Sequence, residues 1–229
     1  MGEIKINHAL IMAAGRGNRM RPLTDLLPKS MIPYNGDTLI GNSLNKLTKS
    51  IQYIHVTVGY KKAMLSEYLM TKGVDTIINT EGHGNAWWIT NTIMKYIDEP
   101  IIVMTTDNIT EIDSQFLLSQ YEHLGYPPCM LVPVKPIDGI DGDFINQSNG
   151  TVISINRAEK SEIYCSGIQV INPNKIFQLG FNDDNFYDIW NNLIRINELK
   201  VSSIYPKIWF SVDTLENLAR ITSNGELVC

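Results

Sequence analysis

The sequence ALIMAAGRGNRMRPLTDLLPKSM, residues 9–31, carries the strongest structural signal in the chain. Its first five residues are apolar and are typical of a buried strand. Gly15 and Gly17 follow closely, and glycines at such a point let the backbone bend tightly and bring bare N–H groups against an anion. Three arginines and Lys29 add positive charge that suits phosphate oxygens. The stretch therefore predicts a loop that binds a polyphosphate.

Two other phosphate-binding motifs do not fit this stretch. A dinucleotide-binding fingerprint needs a third glycine at position 20, where this chain has Met20. A Walker A loop needs glycine before Lys-Ser, and here Pro28 precedes Lys29. The stretch instead resembles the signature of nucleotidyltransferases that activate sugar phosphates, G-x-G-x-R-x-x-P-x-T followed by P-K. The matching residues are Gly15, Gly17, Arg19, Pro22, Thr24, Pro28 and Lys29.

Composition limits the class of protein and its partners. The chain has 229 residues and a net charge of -5, and it has no lysine- and arginine-rich stripe outside the glycine-rich stretch. Nucleic acid and anionic membranes are therefore not expected partners. Cys129, Cys165 and Cys229 share no metal-ligand or redox spacing, which favours a reducing, cytoplasmic compartment. Neither a signal peptide at the N-terminus nor an apolar run of about 20 residues is apparent, so no membrane span is expected.

The order of apolar segments in the first half predicts a mostly parallel sheet. Strands are predicted at residues 8–13, 53–58, 76–79 and 101–105, with helices between them at residues 39–50, 61–70 and 86–97. This alternation is typical of βαβ units with right-handed crossovers. The resemblance implies an α/β, Rossmann-like fold of the nucleotide-diphospho-sugar transferase type, with a mostly parallel, mixed sheet flanked by helices.

The second half is richer in short strands. Extended segments are predicted at residues 130–135, 143–147, 151–156, 164–171, 201–205 and 208–212, and helices at residues 188–197 and 215–222. Asn149-Gly150 predicts a hairpin turn, and Pro173 suits the first turn of a helix. We expect one domain over residues 1–229 with a small β-rich insertion. Residues 1–125 would bind the nucleotide and residues 126–229 the acceptor.

Polar clusters follow three predicted strands. The glycine-rich stretch follows the first strand, Asp107 follows the strand at 101–105, and Asp213 ends the extended run at 208–212. Ligands of open α/β sheets lie beyond the carboxyl ends of strands, so these clusters can converge on one pocket. Mg²⁺ prefers one or two carboxylates together with water and phosphate oxygens. Asp107 is a candidate Mg²⁺ ligand, and the resemblance implies Asp213 as the second, although either aspartate could instead serve a turn or helix cap.

The resemblance also assigns residues to the nucleotide. It implies that Arg19 clamps the β- and γ-phosphates and that Lys29 bridges the α-phosphate and the incoming phosphate, as the catalytic pair. Asn79 would replace a glutamine common in the family, and Gly84-Asn85 would replace part of its G-T-A element, which leaves the base open among CTP, UTP and GTP. The nucleotide-binding set is Ala13, Ala14, Gly15, Gly17, Asn79, Gly84, Asn85 and Thr106.

The acceptor-binding residues are less constrained by the pattern. Glu159 and Lys160 resemble the family's E-K element, which holds the acceptor phosphate, but Lys160 could equally be an ordinary exposed lysine. Trp88 is a candidate acceptor contact through stacking or cation–π attraction. The alternative for Trp88 and its neighbour Trp87 is core packing.

The sequence thus predicts a Mg²⁺-dependent nucleotidylyltransferase, NTP plus sugar 1-phosphate giving NDP-sugar and pyrophosphate, for bacterial-type surface glycan precursors. One alternative is a CTP-dependent cytidylyltransferase acting on phosphocholine or another small phosphorylated acceptor. A second is a non-catalytic protein that binds nucleotide sugars. No hexapeptide repeats follow the last predicted helix, so a second, acetyltransferase activity is not expected. The oligomeric state is left open.

Overall fold

A computed structural model of the chain describes residues 5–224. The predictions that no signal peptide is present and that the compartment is reducing depend in part on residues 1–4 and on Cys229. These residues lie outside the described residues. The strands of the described part are β1 His8–Met12, β2 Pro33–Tyr34, β3 Asp37–Thr38, β4 Tyr53–Val58, β5 Thr76–Asn79, β6 Ile101–Thr105, β7 Asn108–Thr110, β8 Cys129–Val134, β9 Phe144–Ser148, β10 Thr151–Asn156, β11 Tyr164–Ile171, β12 Leu199–Val201 and β13 Trp209–Ser211.

The helices cover both faces of the sheet. They are α1 Leu23–Leu26, α2 Leu39–Leu47, α3 Lys62–Met70, α4 Trp87–Asn91, α5 Ser114–His123, α6 Pro173–Gln178, α7 Phe186–Arg195 and α8 Leu215–Asn224. Single 3₁₀ turns lie at Asn18–Met20, Lys29–Met31 and Ile93–Tyr96. Within residues 5–224, no helix is both long enough and apolar enough to span a bilayer.

Nine strands form one mixed sheet in the order β5-β4-β1-β6-β11-β8-β12-β10-β9. The β5-β4-β1-β6 half is parallel, and β11 pairs antiparallel with β6 and β8. A separate two-stranded ribbon joins β7 to β13. This mostly parallel sheet flanked by helices confirms the predicted α/β fold.

The central strand shows why the sheet is buried on both faces. Ala9 and Ile11 of β1 pack into one core, and Leu10 between them packs into the other, all at 0% exposure. Successive side chains of a strand point to opposite faces, so a continuous apolar run serves two helical layers at once. Each fully buried Leu or Ile contributes roughly 1.5–3 kcal/mol relative to exposure.

The β-rich insertion curls back on the main sheet. Asn149 and Gly150 have φ values of 50° and 76°, so the predicted hairpin turn joins β9 to β10 with both residues left-handed. At its other end β9 meets β11, where Phe144 pairs with Tyr164 and the Ile145 N–H donates to the Ile163 carbonyl at 3.0 Å. The contact between β9 and β11 therefore makes a partly closed unit of the five strands β11, β8, β12, β10 and β9.

Two predictions of local structure are wrong or shifted, and one helix was not predicted. The helix predicted at residues 86–97 is interrupted at Thr92, which is extended and whose Oγ1 accepts a hydrogen bond from the Met94 N–H at 3.2 Å. Helix α5 was not predicted, although Asp113 caps it by accepting from the Gln115 and Phe116 N–H groups. The strand predicted at residues 201–205 lies earlier, at Leu199–Val201. Pro173 does open α6, with Asn172 as its N-cap.

Candidate active site

The ribbon β7–β13 brings the two candidate metal ligands together. Asp107 occupies the turn between β6 and β7, and Asp213 follows β13. Ser211 pairs with Asn108 in the ladder, and one residue further the Val212 N–H donates to the Asp107 carbonyl at 2.9 Å. The register of this ribbon places two carboxylates that are 106 positions apart in sequence beside one another.

Lys29 lies between these carboxylates. Its Nζ donates to Asp107 Oδ2 at 2.8 Å and to Asp213 Oδ1 at 2.5 Å, and the three side chains are only 14%, 17% and 23% exposed. Burial by itself lowers the pKa of Lys29, but the two carboxylates outweigh it and hold that pKa above the usual value. Burial likewise opposes ionisation of Asp107, and the adjacent ammonium group lowers its pKa below the usual carboxyl range. Lys29 and Asp107 are therefore both charged at neutral pH.

Arg19 extends the charged cluster toward solvent. Its Nη2 lies 3.1 Å from Asp213 Oδ2, and its side chain is 57% exposed. Gly17 has φ +61°, and a Cβ on it would lie 2.8 Å from the Cβ of Lys29. The Thr24 hydroxyl donates to the Gly17 carbonyl at 3.0 Å and holds the loop in this conformation. The close approach of the loop to Lys29 leaves no room for a side chain at position 17, which explains why this residue is glycine.

A cavity of about 510 Å³ opens between this loop and residues 80–85. Its lining includes most of the residues predicted to bind nucleotide, namely Ala13, Ala14, Gly15, Gly84, Asn85 and Thr106, together with Lys29 and Asp107. Gly17 lines the adjoining pocket with Arg19 and Asp213. Tyr60, Glu81 and His83 also line the cavity and were not predicted. Their segments follow β4 and β5, so the rule of strand exits could have found them.

Asn79 is not part of the cavity lining. It is exposed, and its Oδ1 accepts a hydrogen bond from the Glu81 N–H at 3.2 Å, which closes the turn after β5. Its side chain therefore serves the local backbone here. The prediction that Asn79 takes the place of a base-binding glutamine has no support from this geometry.

Trp88 is a core residue. Its side chain is 0% exposed, and its Nε1 donates to the Asn85 carbonyl at 3.0 Å. An indole in this position cannot contact an acceptor, which corrects the prediction for Trp88 in favour of core packing. Trp87 is half-buried instead and stacks on His83 with ring centroids 4.1 Å apart.

Glu159 and Lys160 are exposed on the loop after β10, and neither lines the nucleotide cavity. Glu159 accepts a hydrogen bond from the Asn156 side chain at 3.3 Å. The neighbouring Arg157 has a firmer place, because its Nε donates to Asp143 Oδ1 at 2.7 Å. A role for Glu159 and Lys160 in binding an acceptor stays a prediction.

The carboxylate pair suits a divalent cation. Asp107 Oδ1 is buried and lacks a hydrogen-bond partner, so it has free capacity to ligate. Within residues 5–224, no group of three or more His, Cys, Asp or Glu side chains is placed to hold a metal ion. Two carboxylates with the remaining ligands from water and phosphate form the kind of set that Mg²⁺ takes alongside a nucleotide.

The sequence profile of the nucleotidyl transferase family matches residues 8–136, which include the glycine loop, the cavity and Asp107. The chain belongs to this family. It is 24% identical over 225 residues to the bifunctional protein GlmU of Methanococcus maripaludis, a match that covers 96% of this chain and 48% of that relative. A match to GlmU of Methanocaldococcus jannaschii is 32% identical over 117 residues and covers 28% of the relative. The chain thus spans less than half the length of these curated relatives. A shorter match, 48% identical over 56 residues, is to the 2-aminoethylphosphonate cytidylyltransferase of Lancefieldella rimae.

Solved structures share the fold over almost the whole chain. The CTP:phosphocholine cytidylyltransferase LicC of Streptococcus pneumoniae superposes with a TM-score of 0.75 at 20% identity, covering 97% of this chain and 100% of LicC. HddC of Yersinia pseudotuberculosis superposes with a TM-score of 0.78 at 20% identity, covering 96% of this chain and 100% of HddC. At these identities the structures establish the fold of this family member and leave its substrates open.

Proposed function

We propose that this family member transfers a nucleotidyl group from an NTP to the phosphate of a sugar 1-phosphate and releases pyrophosphate, with Mg²⁺ as cofactor. The observation that carries this proposal is the Lys29 ammonium held between Asp107 and Asp213 beside the cavity. A binding protein would gain little from two carboxylates at a phosphate site, whereas a metal-assisted transferase needs them. The same arrangement argues against the non-catalytic alternative.

The chemistry that this site supports is positioning and charge neutralisation. A phosphate monoester has a second pKa of about 6, so the attacking oxygen is already ionised and needs no general base. The backbone of Ala13, Ala14 and Gly15 would hold the nucleotide in the cavity, and Arg19 would hold the leaving phosphates. Lys29 would leave its carboxylate partners and bridge the α-phosphate and the attacking phosphate. Asp107 and Asp213 would hold a divalent cation, which would supply the remaining neutralisation of the triphosphate.

The proposal extends to the division of labour and the setting. Residues 1–125 would bind the nucleotide, and residues 126–229, which include the Arg157–Asp143 ion pair, would bind the acceptor. The sparse cysteines favour a cytoplasmic setting, where NTPs are available. Surface glycan precursors would then be the end products.

A second candidate is CTP-dependent transfer to phosphocholine or another small phosphorylated acceptor, or to an aminoalkyl phosphonate. It is favoured by the 56-residue match to a 2-aminoethylphosphonate cytidylyltransferase. The two candidates share the phosphate chemistry and differ in the base and in the group beyond the acceptor phosphate.

One experiment tests both candidates. CTP, UTP, GTP and ATP are each paired with a panel of sugar 1-phosphates, phosphocholine and 2-aminoethylphosphonate, and pyrophosphate release is measured with Mg²⁺ present. Release with one pairing identifies the substrates. Asp107→Asn should abolish that release while the protein stays folded, and Asp37→Asn, remote from the cavity, is the matched control. Nucleotide binding without release for every pairing would favour the non-catalytic alternative.

A further inference from the structure

Strand β11 carries a bulge where it passes the candidate metal site. Cys165 pairs with Pro133 of β8, but the next paired residue, Ile168, faces Val132, so Ser166 and Gly167 are inserted. Gly167 has φ +78°, a conformation that L side chains rarely adopt. The Ser166 hydroxyl donates to the Val132 carbonyl at 2.6 Å and accepts from the Ile168 N–H at 3.0 Å. These bonds replace the lost ladder bonds and fix the bulge.

The bulge directs one carbonyl at the β7–β13 ribbon. The Ser166 carbonyl accepts a hydrogen bond from Asn108 Nδ2 at 2.7 Å and another from Trp209 Nε1 at 2.9 Å. Both donors are buried, and they belong to opposite strands of the ribbon. Asn108 directly follows Asp107, and Trp209 opens the strand that leads to Asp213. A single acceptor on the main sheet therefore anchors both segments that carry the carboxylates.

The lack of a side chain at Gly167 leaves space for the residues on both sides of Asp107. A Cβ at this position would lie 2.8 Å from Asn108 Nδ2 and 2.8 Å from Thr105 Oγ1. Thr105 ends β6 two residues before Asp107, and Asn108 begins β7 just after it. A side chain on Gly167 would thus displace the chain on both sides of Asp107.

We propose that the bulge formed by Ser166 and Gly167 is a positioning element that sets the relative placement of Asp107 and Asp213 for a divalent cation. This inference rests on the proposed function, because it assumes a metal–nucleotide complex at the two carboxylates. Mg²⁺ accepts little error in ligand placement, since it requires near-ideal octahedral geometry at about 2.0–2.1 Å. An anchor that fixes both ligand segments at once meets that requirement.

The test compares two variants of the anchor with two matched controls. Gly167→Ala fills the space beside Asn108, and Trp209→Phe removes one donor while keeping an aromatic ring. Gly180→Ala is the first control, because Gly180 has φ +76° with no atom within 4 Å of the added Cβ. Trp190→Phe is the second, because Trp190 Nε1 also donates to β11, at 3.0 Å to Gln169 Oε1, away from the ribbon.

The measurement is Mn²⁺ binding followed by electron paramagnetic resonance, alone and with non-hydrolysable CTP, UTP or GTP. We expect Gly167→Ala to weaken Mn²⁺ binding with nucleotide roughly tenfold or more, and Trp209→Phe to weaken it about threefold to fivefold. Nucleotide affinity without metal should be unchanged. Both controls should keep the metal affinity of the unaltered protein, even though Gly180→Ala shares the backbone strain.

Several outcomes would overturn the inference. Unchanged Mn²⁺ affinity in both anchor variants would do so, and so would an equal loss in the controls. If Gly167→Ala does not fold, Trp209→Phe against Trp190→Phe decides alone. If the unaltered protein binds Mn²⁺ with none of the three nucleotides, the proposed function is refuted, and the role of the bulge is refuted with it.

Discussion

Replacing Lys29 by methionine should destabilise the metal-free protein and make its stability depend on divalent cations. Methionine keeps most of the side-chain volume but removes the charge that lies 2.8 Å from Asp107 and 2.5 Å from Asp213. Asp107 would then lose its cationic partner and face Asp213, which keeps Arg19 at 3.1 Å on its other oxygen. The variant should therefore need a metal ion where the unaltered protein needs none.

The size of the effect follows from the burial of the cluster. Two unit charges 4 Å apart interact by about 4 kcal/mol at an effective dielectric constant of 20. Removing one partner from a buried ion pair costs about 3–5 kcal/mol, because the other charge is left uncompensated. The side chains here keep between 14% and 23% of their exposure, so water screens part of the repulsion. We therefore expect a loss near the lower end, about 3 kcal/mol.

Urea unfolding measures this loss, once with a chelator and once with excess Mg²⁺. Ligand binding at 100 times its dissociation constant adds about 2.7 kcal/mol to the free energy of unfolding, so Mg²⁺ should restore most of the stability of Lys29→Met. The unaltered protein should gain much less, because its lysine already neutralises the carboxylates. Lys72→Met removes another lysine that pairs with an aspartate, Asp37 at 2.9 Å, and should show no such rescue.

Two results would refute this reasoning. One is an unfolding midpoint of Lys29→Met in chelator that equals that of the unaltered protein. The other is an equal stabilisation of both proteins by Mg²⁺, which would mean that the lysine and the cation do not share a site.

Three further predictions concern the loop, the pH dependence and a helix contact. Gly17→Ala should lower kcat/KM roughly tenfold or more by displacing Lys29, with catalytic assays on the folded variant as the measurement. Burial lowers the pKa of His55 to about 4, below its unfolded value of about 6.5, so stability should fall as pH drops between these values. At pH 5 the unfolding free energy should be smaller by about 1–2 kcal/mol, and His55→Gln should flatten this part of the curve in urea titrations. Gly41→Ala would crowd Asp37 and the hydroxyl group of Tyr68, which donates a hydrogen bond to Asp37. The free energy of unfolding, measured in urea, should therefore fall by about 1–3 kcal/mol.

The parallel half of the fold could be predicted because its signals are local. The strands at Tyr53–Val58, Thr76–Asn79 and Ile101–Thr105 have the predicted bounds, since each is a short segment rich in β-branched residues. Helix α5 was not predicted because its local sequence signal is weak. Only Leu117 and Tyr121 of that helix are buried, so its apolar face is too narrow to stand out in the sequence.

Some members of the candidate site could be predicted from the sequence, but their contacts could not. Asp107 and Asp213 follow strands and so were candidates, but the contact of Lys29 with Asp213 joins residues 184 positions apart and depends on the register of the ribbon. Likewise, no local pattern distinguishes Trp88, which faces the core, from Trp87, which is half-buried. Side-chain direction at a helix start is set by packing that a single sequence does not display.

The inward curl of β9 also bears on how copies of this protein can associate. Unpaired backbone groups along an outer strand invite another chain to add to a sheet. Because β9 already bonds to β10 and touches β11, that side offers few such groups in the described part of the chain. Within the nine-stranded sheet, the other border available for intermolecular extension is β5, which is only four residues long. A crowded solution of this protein should accordingly resist fibrillar stacking better than an open sheet of equal width.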